Sequence, residues 1–370
     1  MRKNVTSEGF IQLASIVEDY KIEGINKSDC DFISTPVFFI KRRDKNNNLI
    51  CDCGKGLTVK NAFLSAFYEM IERVSAERFL GQSNLSKSSA RDSHLKEKYK
   101  NIPTEKICYG ENILDRSILM IPQDVVKFPP ESEIEFNGTI GLASGVSYED
   151  AVIHAIYEVL EHDSISLFLK TGLPCYQIEI DDSYKEIFEI KKAAEAKGIK
   201  CTVRLLTSPF DIFPVLITYE NMPGFENYKV AGIGCSLDPV IATRRALTEC
   251  EQSAALWHEK YMEKDMEESE IYHPSFDIDF LYSYDFKTIK LSDIPAIKTE
   301  NELEYLKKEL STQVREIIVV DISRVELQTN CVKVIIPDLE FNLGEGKEFN
   351  NIKRIKEINK IMNQFVSRSE

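Results

Sequence analysis

The chain has no Cys-x-x-Cys pair, a single tryptophan, no excess of positive charge, and no apolar run near the ~18 residues of a membrane span. Each absence excludes something. Nine cysteines are present, an odd number, and Cys51 and Cys53 are the only close pair. A structural zinc site needs a second pair, so reduced thiols of a cytoplasmic protein are expected instead. The net charge of −14 would repel a phosphate backbone, which sets nucleic acid aside as a partner. No membrane association is expected either. The opening "MRKNVTSEGFIQLASI" lacks the apolar core of a signal peptide. No Gly-x-x-x-x-Gly-Lys-Ser/Thr loop occurs around Lys55, and the five histidines show no metal-ligand spacing. No Pro/Gly/Ser linker divides the chain.

What is there fits one composite domain. The 370 residues are 43% apolar, enough for a large core. Residues 1–28 read as a short helical lead-in and residues 29–370 as the domain. "TPVFFIKRR", "CTVRLLT", "DIFPVLITYE", "KVAGIGCS", "EIIVVDIS" and "CVKVIIPDL" read as strands from their β-branched and alternating character. "YKEIFEIKKAAEAKGI" reads as a helix stopped by Gly198, and "ENELEYLKKELSTQ" as an amphipathic helix. Residues 84–105 read as a polar loop or surface helix, 261–300 as irregular, and the tail from Asn350 as helical in spacing. Strands and helices mix throughout, which predicts an α/β class of mixed α+β type.

Three segments repeat one pattern. "TVKNAFLSAFYEMIER" starts at Thr58, "SYEDAVIHAIYEVLEH" at Ser147 and "DPVIATRRALTECEQS" at Asp238. Each opens on an N-cap residue type, and Ser147 with Asp150 has the form of a capping box. Pro239 takes the favoured first helical position. Seven residues past the cap stand Ser65, His154 and Arg245. Four further on stand Glu69, Glu158 and Glu249, and three beyond those Glu72, Glu161 and Gln252. Glycines precede each cap, so the unit reads as glycine turn, cap, striped helix.

At 3.6 residues per turn these offsets fall within an arc of roughly 60–80°. The other faces are apolar or small: Phe63, Phe67, Ile71 and Val74; Ile153, Ile156 and Leu160; Ala246, Leu247, Cys250 and Ala254. Solvated charge is the ordinary meaning of one such stripe. Three in the same register point instead to a shared site. Like charges three residues apart repel unless something positive lies between them. Hard carboxylate oxygens select magnesium, which also binds substrate phosphates. Arg73 and Arg245 have the fork geometry that suits phosphate oxygens. The residues therefore predict a magnesium-nucleotide site on three helix faces.

Here the chain resembles a known family. "GKGLTVKNAFLSAFYEMIER", "GLASGVSYEDAVIHAIYEVLEHD" and "RRALTECEQS" are similar to the three nucleotide-binding motifs of the YcaO superfamily, and "VVDISRVELQTNCVKVIIPDLE" to its penultimate strand pair. The resemblance runs from about Asp29 to Glu340. It implies a YcaO-like fold and the use of ATP and Mg2+ to activate peptide backbone amides. A nucleophile adds to the amide carbonyl, the oxyanion takes the γ-phosphoryl group, and phosphate leaves. A side-chain nucleophile gives an azoline; a sulfur donor gives a thioamide. The resemblance implies nucleotide contacts from Lys55, Ser65, Glu69, Glu72, Arg73, Glu158, Glu161, Arg245, Glu249 and Gln252. It implies metal contacts from Glu69, Glu72, Asp150, Glu158, Glu161 and Glu249.

The second motif departs from the family in three places. Val146 stands in Gly145-Val146-Ser147 where Gly-Asn-Thr or Gly-Asn-Ser is usual, Asp150 stands where a Glu is common, and His162 replaces the usual Arg. Azoline-forming members commonly end in a proline-rich tail, whereas the last proline here is Pro337. The expectation is therefore thioamide formation in a ribosomally made peptide or protein. The alternatives are a cyclodehydratase acting with a ThiF-like partner and a non-catalytic nucleotide-binding scaffold. A separate partner protein, TfuA-like or ThiF-like, and a homodimer complete what the resemblance implies.

Overall fold

The computed structural model describes residues 19–81, 89–95, 106–131, 138–171, 175–262 and 287–340, together with Ile358 and Lys360. Residues 1–18 of the expected helical lead-in, most of the 84–105 segment, much of 261–300 and nearly all of the tail lie outside these residues; the described end of the lead-in is a strand, Ile22–Lys27, paired with the strand that follows, and not a helix.

Three sheets and five helices make up the described fold. The first sheet is antiparallel and contains β1 (Ile22–Lys27), β2 (Val37–Arg43) and β3 (Leu49–Lys55), in that order. Helix α1 (Val59–Glu77) follows β3 directly. The second sheet collects β4 (Arg91–Asp92), β5 (Ile107–Asn112), β6 (Ser117–Pro122) and β7 (Leu142–Gly145), with two later strands. Helix α2 (Tyr148–Thr171) leaves from β7. The third sheet holds β8 (Cys175–Glu179), β9 (Lys200–Leu206), β10 (Phe213–Met222) and β11 (Phe225–Ser236), with α3 (Lys185–Ala196) between β8 and β9. Helix α4 (Pro239–Met262) leaves from β11. Then come β12 (Thr288–Lys290), α5 (Glu302–Leu310), β13 (Ile318–Asp321) and β14 (Asn330–Ile335).

The orders are β4-β6-β5-β13-β14-β7 in the second sheet and β11-β10-β9-β8-β12 in the third. Only β4–β6 and β12–β8 run parallel; the other pairings are antiparallel. Between Thr35 and Leu339, each strand and helix read from the sequence is present. Helix α3 ends before Gly198, whose φ of +86° suits a residue without Cβ. The expected apolar helix faces are the packed ones: Ile71, Val74, Ile156, Leu160, Ala246, Leu247, Cys250 and Ala254 are all buried. Burying a side chain the size of Ile or Leu contributes roughly 1.5–3 kcal/mol, so these faces anchor the three helices.

Of the glycines before the caps, Gly141 sits in a turn with φ +81°, as expected, whereas four others lie in strands instead. Gly54 lies in β3, Gly145 in β7, and Gly232 and Gly234 in β11. A Cβ on Gly54 would fall 1.8 Å from the Ala66 amide nitrogen, and one on Gly232 would fall 2.2 Å from the Ala246 carbonyl oxygen. The helix folds back onto the strand it has just left, backbone against backbone, and only glycine leaves room for that approach.

Candidate functional site

The three repeats share one local plan: a strand, a cap, and a helix lying back along the strand. Thr58 caps α1 through the Asn61 N–H at 3.2 Å. Ser147 and Asp150 form the reciprocal capping box at α2: Asp150 N–H donates to Ser147 Oγ (3.0 Å) and Ser147 N–H to Asp150 Oδ2 (3.2 Å). The Asp238 carboxylate accepts from the Val240 N–H at 2.8 Å. Among the described residues, β3, β7 and β11 each form one edge of a different sheet. Edge strands carry unpaired backbone groups that must be satisfied.

The last residue of each polar stripe does this for the next unit. On α1, Glu72 Oε1 accepts from the backbone N–H (2.8 Å) and hydroxyl (2.6 Å) of Ser144 on β7. On α2, Glu161 Oε1 accepts from the Cys235 N–H on β11 at 2.8 Å. On α4, Gln252 Nε2 donates to the Cys53 carbonyl on β3 at 3.0 Å. The order is cyclic, unit one to two, two to three, three to one. Glutamine at the third station has a direct cause. Its target on β3 is a carbonyl, which needs a donor, and a carboxylate has none.

The preceding stripe position is more open. Glu69, Glu158 and Glu249 are all half-buried, whereas Glu72 and Glu161 are buried. Protein cations meet the carboxylates. Arg73 Nη2 lies 2.8 Å from Glu69 Oε1, Arg245 Nη2 lies 3.1 Å from Glu161 Oε1, and Lys55 Nζ pairs with Glu249. The last two pairs again join neighbouring units. Ser65 is half-buried in α1. Asp150 stands apart in its capping box, exposed to solvent.

The charges act on one another. Burial, then Glu72, Glu69 and Glu161, hold the Glu158 carboxyl well above the ordinary carboxylate range, while Lys333 pulls the other way. Burial pushes Glu161 up to about 7, opposed by Arg245, with Glu249 adding to the rise. Glu158 keeps partial solvent access although protein surrounds it, as a residue lining a recess does. The three stripes therefore face a common region, as their register predicts.

Sequence patterns missed the residues behind this region. Arg42 Nε lies 2.7 Å from Asp52 Oδ2 and its Nη1 lies 3.0 Å from Glu77 Oε2, all three buried. Asp52 Oδ1 lies 3.5 Å from Arg73 Nη1, so this buried chain ends behind Glu69. Glu251, fully buried on α4, accepts from the Ser34 and Thr35 N–H groups, Thr35 Oγ1 and the Tyr219 hydroxyl. Helical spacing gave no sign of it because its partners lie more than thirty residues away. The Nδ1 of His162 is buried without a hydrogen-bond partner, and burial lowers the imidazole's proton affinity.

Among the described residues no three His, Cys, Asp or Glu side chains stand close enough to hold a metal ion. The donor set nonetheless fits a hard divalent cation. It is all carboxylate oxygen, drawn from three elements, and its mutual repulsion adds to burial in raising Glu158. No described helix is long and apolar enough to cross a membrane.

Known proteins bear on this arrangement. A model of the YcaO cyclodehydratase family, described as ATP- and Mg2+-binding, matches residues 53–340. An uncharacterized protein of Methanothermobacter thermautotrophicus is 26% identical over 364 residues, covering 92% of this chain and 94% of its own. An uncharacterized protein of the tfuA 3′ region of Rhizobium leguminosarum bv. trifolii is 27% identical, covering 60% of this chain and 59% of its own. Among solved structures, YcaO from Methanopyrus kandleri bound with AMPPCP and Mg2+ superposes with a TM-score of 0.76 at 20% identity, covering 93% of each chain. A chain of the E. coli microcin synthetase McbBCD complex with pro-MccB17 bound superposes with a TM-score of 0.62 at 15% identity, covering 90% of this chain and 95% of that one.

Proposed function

The chain belongs to the YcaO family, and on that premise we propose that it uses ATP and Mg2+ to activate backbone amides of a peptide or protein substrate. The observation that carries the proposal is the cyclic set of three stripes, with Glu69, Glu158 and Glu249 accessible and Glu72, Glu161 and Gln252 fixed on sheet edges.

In this reading Glu69, Glu72, Glu158, Glu161 and Glu249 hold the metal. Asp150, held apart in its capping box in the ligand-free chain, is proposed as a further metal contact. Bound Mg2+ supplies charge neutralisation between these carboxylates and the phosphates. Lys55, Arg73 and Arg245 leave their carboxylate partners for phosphate oxygens, and Ser65 and Gln252 border the nucleotide. The nucleophile adds to the amide carbon, and the resulting oxyanion takes the γ-phosphoryl group of ATP, leaving ADP. Phosphate then departs with the former amide oxygen. The protein's part is positioning and fixed charge, which supply most of the catalysis in phosphoryl transfer.

The product we propose is a thioamide, in a ribosomally made peptide or protein, with sulfur delivered by a TfuA-like partner. The relative from the tfuA 3′ region supports that partner. Azoline formation with a ThiF-like partner is the competing outcome, favoured by the likeness to a microcin synthetase chain. A homodimer working in the cytoplasm is part of the same proposal. A non-catalytic scaffold is the third reading, favoured by exposed Val146 and by His162 at the helix position where the first repeat has Arg73.

Calorimetry of AMPPCP with and without Mg2+, for wild type beside Glu69→Gln and Glu161→Gln, tests the site. Binding that needs Mg2+ and is lost in both folded variants upholds it. Peptide-stimulated ATP turnover then separates enzyme from scaffold. Exchange of oxygen for sulfur raises peptide mass and loss of water lowers it, which separates the two products.

A further inference from the structure

Asp52 Oδ1 and Arg73 Nε are both buried and both lack a hydrogen-bond partner. They belong to neighbouring groups: Oδ1 lies 3.5 Å from Nη1 of the same guanidinium, an ion pair short of a hydrogen bond. Asp52 is 0% exposed. Alternation along β3 puts it on the face of Gly54. That is the face on which α1 lies, since a Cβ on Gly54 would meet Ala66. A carboxylate sealed there is costly unless positive charge answers it. Its other oxygen, Oδ2, accepts from Arg42 Nε at 2.7 Å, and Arg42 Nη1 donates to Glu77 Oε2 at 3.0 Å. Two buried carboxylates thus share one buried guanidinium, and the second positive charge is that of Arg73. Its Nη2 lies 2.8 Å from Glu69 Oε1, and its Nη1 donates to the Cys51 carbonyl at 3.3 Å. Arg73 therefore stands between two carboxylates. It bonds Glu69, which is half-buried, and only faces Asp52, which is sealed behind it.

We propose that Asp52 is a positioning residue for the nucleotide, acting through Arg73 and touching neither metal nor nucleotide. Once Glu69 is given over to Mg2+, the guanidinium turns onto Asp52 Oδ1. That turn supplies a partner to each of the two orphaned atoms and leaves Nη2 for a phosphate oxygen. Arg42, itself held by Glu77, keeps Asp52 from following the guanidinium outward. The inference rests on the proposed nucleotide site and adds a residue behind it.

The test is a double-mutant cycle on AMPPCP binding in excess Mg2+, measured by calorimetry for wild type, Asp52→Asn, Arg73→Gln and the double variant. The Asp52→Asn side chain keeps an oxygen for Arg42 and turns an amide toward Arg73. Arg42 retains Glu77, so the variant is expected to fold. Asp52→Asn should weaken binding on the order of five-fold or more in the wild type and leave it unchanged in the Arg73→Gln background. A merely structural aspartate would cost the same factor in both backgrounds. Equal factors overturn the proposal, as does an Asp52→Asn variant that binds like wild type. A wild type that does not bind overturns the proposed function. An Arg73→Gln variant that binds like wild type overturns the phosphate contact of Arg73, and the positioning role with it. If Asp52→Asn does not fold, Arg73→Lys decides. It keeps the positive charge but cannot reach Asp52 and a phosphate oxygen together. Weakening on the order of five-fold or more upholds the bridge, and binding like that of wild type overturns it.

Discussion

The side-chain amide of Gln252 lies 3.0 Å from the carbonyl oxygen of Cys53, and this contact closes the cycle that Glu72 and Ser144 begin. It joins the last helix of the repeat to the first strand, about two hundred residues earlier. Gln252→Glu should therefore cost more than a surface change. It sets a carboxylate against a carbonyl oxygen and leaves the carbonyl without its donor, a loss of about 1–3 kcal/mol. Urea unfolding of the ligand-free protein measures it, and an unchanged midpoint would show that the contact carries no weight.

Metal and nucleotide should bind as a linked pair. Arg73, Arg245 and Lys55 pair with Glu69, Glu161 and Glu249 in the ligand-free chain. Phosphate oxygens draw those cations away, and the vacated carboxylates then favour Mg2+. The expected coupling is on the order of ten-fold or more in each direction, since linkage is reciprocal. Titrating Mg2+ with and without AMPPCP, and the reverse, measures both arms. Independent constants would contradict the partner exchange.

Much of this was legible before any coordinates. The caps Thr58, Ser147 and Asp238, the helices they start and the registered glutamates follow from helical periodicity, a local property. What periodicity does not carry is which strand lies next to which helix. The cyclic contacts span dozens to hundreds of residues and end on backbone groups that any sequence presents, and Arg42 reaches Glu77 thirty-five residues on. The glycines show the same limit from the other side. Their positions were plain, but the close approach of helix to strand that requires them appears only when the two are packed together.

Gly54→Ala tests that packing. The added carbon would meet the α1 backbone at Ala66 and Ala62, which has no rotamer by which to yield. A loss of about 3 kcal/mol or more is expected, with α1 displaced from β3. Thermal melting followed by circular dichroism measures it. A near-neutral result would mean that helix and strand do not approach as described.

Ligand-free stability should fall as pH rises from about 4.5 to about 7. Glu161 titrates near 7 in the folded chain against 4.5 ordinarily, so across that window the folded state keeps a proton that the unfolded state has lost. The contribution is fully present below 4.5 and gone above 7, about 3 kcal/mol at most for this one group. Glu158, Asp52 and Glu251, also raised chiefly by burial, act in the same direction. His162, lowered by burial, works against them below its ordinary 6.5. Urea midpoints at several pH values measure the slope. Saturating Mg2+ and AMPPCP should flatten it by holding the carboxylates ionised.

The three sheet edges have a consequence beyond ligand binding. An open edge can recruit a strand from another molecule, and proteins commonly blunt such edges with bulges or lysines. Here β3, β7 and β11 are each engaged by a side chain from a different repeat unit. Protection against intermolecular pairing is thus tied to the residues that shape the recess. A substitution at Glu72, Glu161 or Gln252 uncovers a sheet edge as well as altering the site, and its first visible effect should be self-association.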